Sequence, residues 1–287
     1  MSTRRMGAAA ATAALALTLA ACGSDAGDTG SGGSGSGGSS AAGASGLKVG
    51  IKFDQPGLGL KKGSEYTGFD VDVAKYVAKE LGTSEDKITW VQAPSAQRED
   101  LISTGQVKFI VATYSITDAR KEKVSFAGPY FVAGQDLLVR ADDTSITGPD
   151  SLNGKKLCSV KGSTSAQKVK DKFAQTVQLQ EFGTYSECLP ALATGGVDAL
   201  TTDDAILAGF AAQPENKGKF KLVGKPFSTE NYGIGLKKGD TALCQKITDA
   251  IKKMQSDGSL QKAIDANLGP ANYKPGAGNP PTPAACS

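Results

Sequence analysis

The decapeptide VATYSITDAR, residues 111–120, starts as an apolar, β-branched strand and ends in hydroxyls and a guanidinium. Thr113, Ser115 and Thr117 follow the apolar part, and Arg120 closes the stretch. Strand ends in α/β folds are where ligands sit, and a planar fork of N–H donors fits a carboxylate or a phosphate. A purely local arrangement fits the same residues: Thr117 as a helix N-cap, with Arg120 paired to a neighbour in the first turn. Further along, Thr164 lies in "GSTS" at a helix start, where free N–H groups favour an anion. "VDALTTD" ends in Asp203 with Asp204 beside it, a carboxylate acceptor at another strand end. Thr164 and either aspartate also suit plain N-caps.

The elements that must position these groups alternate along the chain. "LKVGI" is a short strand, and "GFDVDVAKYVAKELG" carries Val73, Val77 and Leu81 at helical spacing before Gly82. "KITWVQA" is a strand, "AQREDLIST" a helix closed by Gly105, and "VKFIVAT" a strand. After Arg140 a second series runs from "LNGKKLCSVKG" through "STSAQKVKDKFA", "TVQLQEFG" and "TYSECLPALATGG" to "VDALTTD" and "DAILAGFAA". "NYGIGLKK" is a further strand, and one long and one short helix follow it. Such alternation predicts α/β layers with parallel strands. "TGQVKFIVAT" and "TGGVDALTTD" align without gaps, setting Gly105 on Gly195 and Thr113 on Asp203. Helix, glycine cap and strand is a common local arrangement, but two similar lobes face to face would bring both strand ends to one cleft.

Composition narrows the chemistry. The chain has 32 Lys+Arg, 29 Asp+Glu and no histidine, so histidine triads and histidine metal sites are excluded. No basic tract stands out, which disfavours nucleic acid. Arg4 and Arg5 precede an Ala/Leu-rich run over 7–21 that ends "LTLAAC", a pattern like a bacterial lipobox. This predicts a lipoprotein signal peptide over 1–21, lipidation of Cys22, and a Gly/Ser-rich tether over 22–46. Four cysteines remain, Cys158, Cys188, Cys244 and Cys286, an even count that points to disulfides in an exported protein. No CxxC occurs, so a zinc site is disfavoured. Three pairings are open; Cys158–Cys188 with Cys244–Cys286 is the expected one, because each pair then lies in one lobe. The second pair would staple down the tail "YKPGAGNPPTPAACS", which otherwise reads as disordered.

The segments "KFDQPGLG", "YTGFDVDVAKYVAKELG", "ATYSITDARKEKVSFAGPYF", "CSVKGSTS", "VDALTTDDAILAG" and "ENYGIGLKKGD" resemble the amino-acid-binding proteins of ABC importers. The likeness is strongest to the glutamate-binding lipoproteins of actinobacteria, and it covers residues 47–287. "SITDARKEKVSFAGPY" matches the family's S-I-T-x-x-R-x-x-x-x-x-F-x-x-P-Y signature in full; Lys108 departs from the acidic residue usual at its place. The resemblance implies an α/β fold of the two-lobe, periplasmic-binding-protein-like (type II) kind, each lobe a sheet flanked by helices. Lobe 1 would comprise 47–138 plus 229–270 and lobe 2 139–228, with the Pro-rich tail over 271–287. Crossovers near "GQDLLVR" and "KPFSTENY" would be the two hinges.

An α-amino acid presents a carboxylate and an ammonium on adjacent atoms. Arg120, Ser115 and Thr164 suit the first, and Asp203 and Thr113 the second. In the family's acidic-ligand members basic residues where Lys52 and Arg98 stand hold a distal carboxylate. These two with Arg120 against Asp203 leave two net positive charges, costly to shut in unpaired. Asp54 complicates the count, since it could neutralise Lys52. Phe53 and Tyr232 are candidates for aromatic walls; Trp90 and Phe126 read as core. The expected ligand is therefore L-glutamate or L-aspartate, captured outside the cell membrane by a lipid-anchored monomer that serves ABC permease subunits, with no cofactor and no metal. The alternatives are a ligand-binding sensor or surface lipoprotein, or a receptor for a neutral amino acid such as glutamine. An enzyme would need an added acid or base in the cleft, and Glu65, Glu99 and Glu230 are not singled out by spacing.

Overall fold

The computed structural model describes residues 46–287. The signal segment, Cys22 and the tether short of its last residue lie outside the described residues. The described chain opens with β1 (Leu47–Ile51) and a small antiparallel meander, β2 (Asp54–Gln55), β3 (Gly59–Lys62) and β4 (Glu65–Thr67). Then come α1 (Phe69–Glu80), β5 (Ile88–Gln92), α2 (Arg98–Ser103), β6 (Phe109–Ile110), α3 (Asp118–Lys121) and the long β7 (Val124–Ala133). One residue, Gly134, separates β7 from β8 (Gln135–Arg140). There follow β9 (Lys156–Val160), α4 (Ser165–Lys172), β10 (Gln178–Phe182), α5 (Cys188–Ala193), β11 (Ala199–Asp203), α6 (Asp204–Ala211) and β12 (Phe220–Leu222). The chain closes with β13 (Glu230–Lys237), α7 (Thr241–Ser256) and α8 (Ser259–Leu268).

Two five-stranded sheets carry the fold, in the orders β5-β1-β6-β13-β7 and β10-β9-β11-β8-β12. Each is mixed rather than parallel: β1 runs parallel to β5 and β6, and β9 to β10 and β11. The remaining pairs, β13 with β6 and β7 and β8 with β11 and β12, are antiparallel. In each sheet the strand that runs against its neighbours is the one that enters from the other sheet: β8, which follows β7 of the first sheet through Gly134 alone, and β13, which follows β12 of the second. In the stretch "GQDLLVR", expected near a hinge, Gly134 is the passage between the sheets and the rest is β8.

Both faces of the sheets are covered, so their inner strands read as apolar runs. In β8, Leu137 and Val139 turn to a cluster with Val169 of α4, while Leu138 turns to the main core. In α7 the buried residues Leu243, Ile247, Ala250, Ile251 and Met254 recur at helical spacing, and Asp240 caps the helix by accepting from the Leu243 N–H at 3.1 Å.

Cys158 of β9 is joined to Cys188 of α5, and Cys244 of α7 to Cys286. The second bond pins an ordered tail. Phe126 and Ser287 exchange backbone hydrogen bonds, the Ala284 N–H donates to the Gly128 carbonyl, and the Asn279 amide bonds both the N–H and C=O of Val132. The tail thus runs beside β7, the edge strand of the first sheet. Replacing Cys244 and Cys286 by serine opens a loop of 42 residues, which is expected to lower stability by about 2–4 kcal/mol. The denaturant midpoint of the purified chain measures this, and an unchanged midpoint would mean that the tail pairing alone suffices.

Candidate functional site

One narrow, nearly closed cleft lies where the two sheets approach, with free space of only about 10 Å³, about what a single water needs. Arg98, Thr113, Ser115, Arg120, Thr164 and Asp203 all line it, together with Ser95, Ser163, Ser165, Tyr185 and Ile206. The two echoed segments meet here: Gly105 and Gly195 both end helices at positive φ, and Thr113 and Asp203 both reach the cleft.

Arg120 is buried and spans the cleft. Its Nη1 donates to the Ser115 carbonyl at 2.8 Å and its Nη2 to the Gly162 carbonyl at 3.2 Å. The local arrangement coexists with this one: the Thr117 hydroxyl accepts from the Arg120 N–H at 3.3 Å, and Nε lies 3.6 Å from Glu99. Arg98 is 2 % exposed and lies over the Tyr114 ring, its Cζ 4.0 Å from the centroid. Its Nη1 donates to the Ala112 carbonyl at 3.0 Å, whereas its buried Nε has no partner. Burial first, then the charge of Arg120, lowers its pKa to about 10.

Thr113 holds a left-handed backbone, φ 45°, which costs a β-branched residue about 1–3 kcal/mol. The buried Asp70 carboxylate keeps it there, accepting from the Thr113 N–H at 2.8 Å and from the Tyr130 hydroxyl at 2.7 Å. Thr164 starts α4, but its side chain does not cap the helix. The hydroxyl instead accepts from Gln135 at 3.2 Å and faces Glu230 at 3.5 Å, so the first-turn N–H groups stay open to the cleft. Glu230 is itself held by Lys168 and Ser228.

Asp203 is 4 % exposed. One carboxylate oxygen accepts from the Tyr232 hydroxyl at 2.6 Å, and the other is buried without a partner. Burial, then the charge of Glu230, raises its pKa to about 8.

Two expected site residues stand behind the lining. Tyr232 is fully buried between Tyr130 and Phe131, so it aims Asp203 rather than walling the cleft. Its alternation with Ile234 and Leu236 along β13 is a core signal that the sequence does carry. Lys52, 4 % exposed, donates to the Ser95 hydroxyl at 2.8 Å and borders an adjoining closed crevice with Phe53, Asp54 and Tyr185. Burial and then Arg98 lower its pKa to about 7. Sequence reasoning missed Ser95 and Tyr185, which come from a 3-10 turn and a bend with no periodicity to mark them. Lys108 lies at the surface, 3.2 Å from Asp240 and away from the cleft.

A charged, buried cleft between two sheets, with donors on one wall and a part-unpartnered carboxylate on the other, defines a solute receptor. Residues 47–270 match the bacterial extracellular solute-binding proteins, family 3, and the chain belongs to that family. It is 47 % identical over 270 residues to the glutamate-binding protein GluB of Corynebacterium glutamicum, covering 90 % of this chain and 88 % of that protein. It is 43 % identical over 211 residues to the ABC transporter glutamine-binding protein GlnH of Bacillus subtilis, covering 73 % and 76 %. Among solved structures, an ancestral arginine-binding protein bound to glutamine superposes with a TM-score of 0.72 at 36 % identity, covering 78 % of this chain and 97 % of the other. The protein is an extracytoplasmic solute-binding protein.

Proposed function

We propose that this receptor captures an acidic amino acid, L-glutamate ahead of L-aspartate, and delivers it to an ABC permease. Cys22 carries the lipid anchor, and the two sheet-and-helix halves, divided near 138 and 229, close on the ligand. Arg120, the Ser115 backbone and the first turn of α4 take the α-carboxylate. Asp203, through its unpartnered oxygen, and Thr113 take the ammonium. Arg98 and, through Ser95, Lys52 face the distal carboxylate. The observation that carries this reading is the surplus of buried positive charge: Arg98 and Arg120 line the cleft, Lys52 stands one hydrogen bond behind, and Asp203 and Glu99, 3.6 Å from the Arg120 Nε, are the two counter-charges. Only a ligand with a second negative group pairs that surplus when water is shut out. The likeness to the GluB protein supports the same choice. We read the site as binding rather than catalytic, since the chain has no histidine and the four described cysteines are all in disulfides.

Glutamine is the second reading, favoured by the lowered basicity of Lys52, which makes it neutral in part near pH 7. Titration calorimetry with glutamate, aspartate and glutamine on either side of that value separates the two. A distal carboxylate raises the Lys52 pKa above its ligand-free value of about 7, so the bound state holds the proton more tightly. Lys52 is already charged below that value, and above it binding must take up a proton. Affinity for glutamate relative to glutamine is therefore highest below about pH 7 and falls as pH rises through it. Asp203 faces the ammonium common to all three ligands, so its own titration cancels in the ratio. A receptor that prefers glutamine throughout would overturn the acidic-ligand reading.

A further inference from the structure

Helix α6 contains a glycine, Gly209, in its last turn, flanked by good helix formers in "AILAGFA". Glycine inside a helix costs roughly 1 kcal/mol relative to alanine. The backbone here is ordinary right-handed helix, so no left-handed turn calls for glycine. What the position has instead is a close approach: a Cβ built on Gly209 would sit 2.1 Å from the Pro56 carbonyl oxygen. Pro56 lies between β2 and β3 on the first-sheet side, in a turn held by the Leu58 N–H on the Gln55 carbonyl at 3.1 Å. Helix α6 packs on the second sheet and supplies Ile206 to the cleft, directly after Asp203.

Two other contacts ring the cleft in the same way. A Cβ on Gly162 would meet the Ala96 backbone at 2.7 and 2.8 Å. Asp54 of β2 accepts from the Tyr185 N–H at 3.1 Å, the Ser186 N–H at 3.3 Å and the Ser186 hydroxyl at 3.4 Å. All three join an element of the first-sheet half to one of the second, and two of them leave no room for a side chain.

We propose that Gly209 is a closure residue: its missing side chain lets α6 seat on the Pro56 carbonyl, and any side chain there holds the halves apart. Affinity then falls by a common factor for every ligand, because the contact touches none of them, and the order of preference is unchanged. The inference rests on the reading that the halves close on a ligand. Gly162 is the weaker probe, since its φ of +77° would strain any substitution regardless of closure.

The test is Gly209→Ala, with Gly148→Ala as a control at a glycine that has open space around it. Calorimetry with glutamate and with glutamine, ligand-free thermal unfolding, and small-angle scattering with and without saturating glutamate are measured on all three proteins. Gly209→Ala is expected to weaken both ligands by one factor, roughly tenfold to a hundredfold. Its ligand-free melting should be unchanged or raised, and its compaction on adding glutamate reduced. Gly148→Ala should match wild type in every respect. Unchanged affinity in Gly209→Ala overturns the proposal. So does a loss confined to one ligand, which would make the position a specificity contact, or a drop in ligand-free stability, which would make it a packing contact. A wild type that binds neither ligand overturns the receptor reading itself.

Discussion

Arg120→Ala is expected to weaken every α-amino-acid ligand by about 2–5 kcal/mol, the cost of removing one partner of a buried, hydrogen-bonded charge pair. That is a factor of about 30 to several thousand in Kd. The loss is general because the α-carboxylate is common to all candidates. It is also compounded, because the same guanidinium ties the Ser115 carbonyl to the Gly162 carbonyl across the cleft. Arg120→Lys should recover only part of it, since an ammonium cannot make the planar fork. The measurement is calorimetry with glutamate, aspartate and glutamine on both variants. Near-normal affinity in Arg120→Ala would reduce the residue to a helix-start partner of Glu99.

Arg98→Ala separates the ligands instead of weakening them together. Glutamate's distal charge would lose the guanidinium that compensates it in a closed, poorly solvated cleft, whereas glutamine loses at most a hydrogen bond. A preference shift of about 2 kcal/mol or more toward glutamine is expected. The variant also removes the stacking on Tyr114 and the bond to the Ala112 carbonyl. These affect the fold and so act on both ligands, which is why the ratio of affinities is the readout. Lys52→Ala should shift the ratio in the same direction by less, because its ammonium reaches the cleft only through Ser95. Equal losses for glutamate and glutamine in Arg98→Ala would place the distal group elsewhere.

Much of this was legible where a short motif fixes a backbone and a side chain at once. "SITDAR" sets a helix cap and a guanidinium within six residues, and the echoed decapeptides bring Thr113 and Asp203 to one cleft, although Asp203 ends β11 and Thr113 lies in an irregular segment three residues past β6. Periodicity likewise marked α1 and α7. What was not legible depends on contacts between distant segments. Each sheet is mixed because one strand, β8 or β13, enters it from the other sheet, and no local pattern in either strand shows the direction in which it joins its neighbours. Lys52 and Tyr232 stand one layer behind the lining, at Ser95 and Asp203, because residue type shows what a side chain can bind and not which neighbour stands before it. Tyr185 enters the cleft from a bend whose position is set by the Cys158–Cys188 half of the molecule and by Asp54.

The tail along β7 has a further consequence. An edge strand is an open template on which another chain can pair, and β7, at ten residues with no charged side chain, would be a long one. Backbone pairing at Phe126 and Gly128, the Asn279 amide at Val132 and the Cys286 anchor occupy that seam with the protein's own C-terminus. Truncation before residue 279 should therefore produce a chain that still folds around its cleft but self-associates through the uncovered strand, at concentrations where the full-length chain stays dispersed.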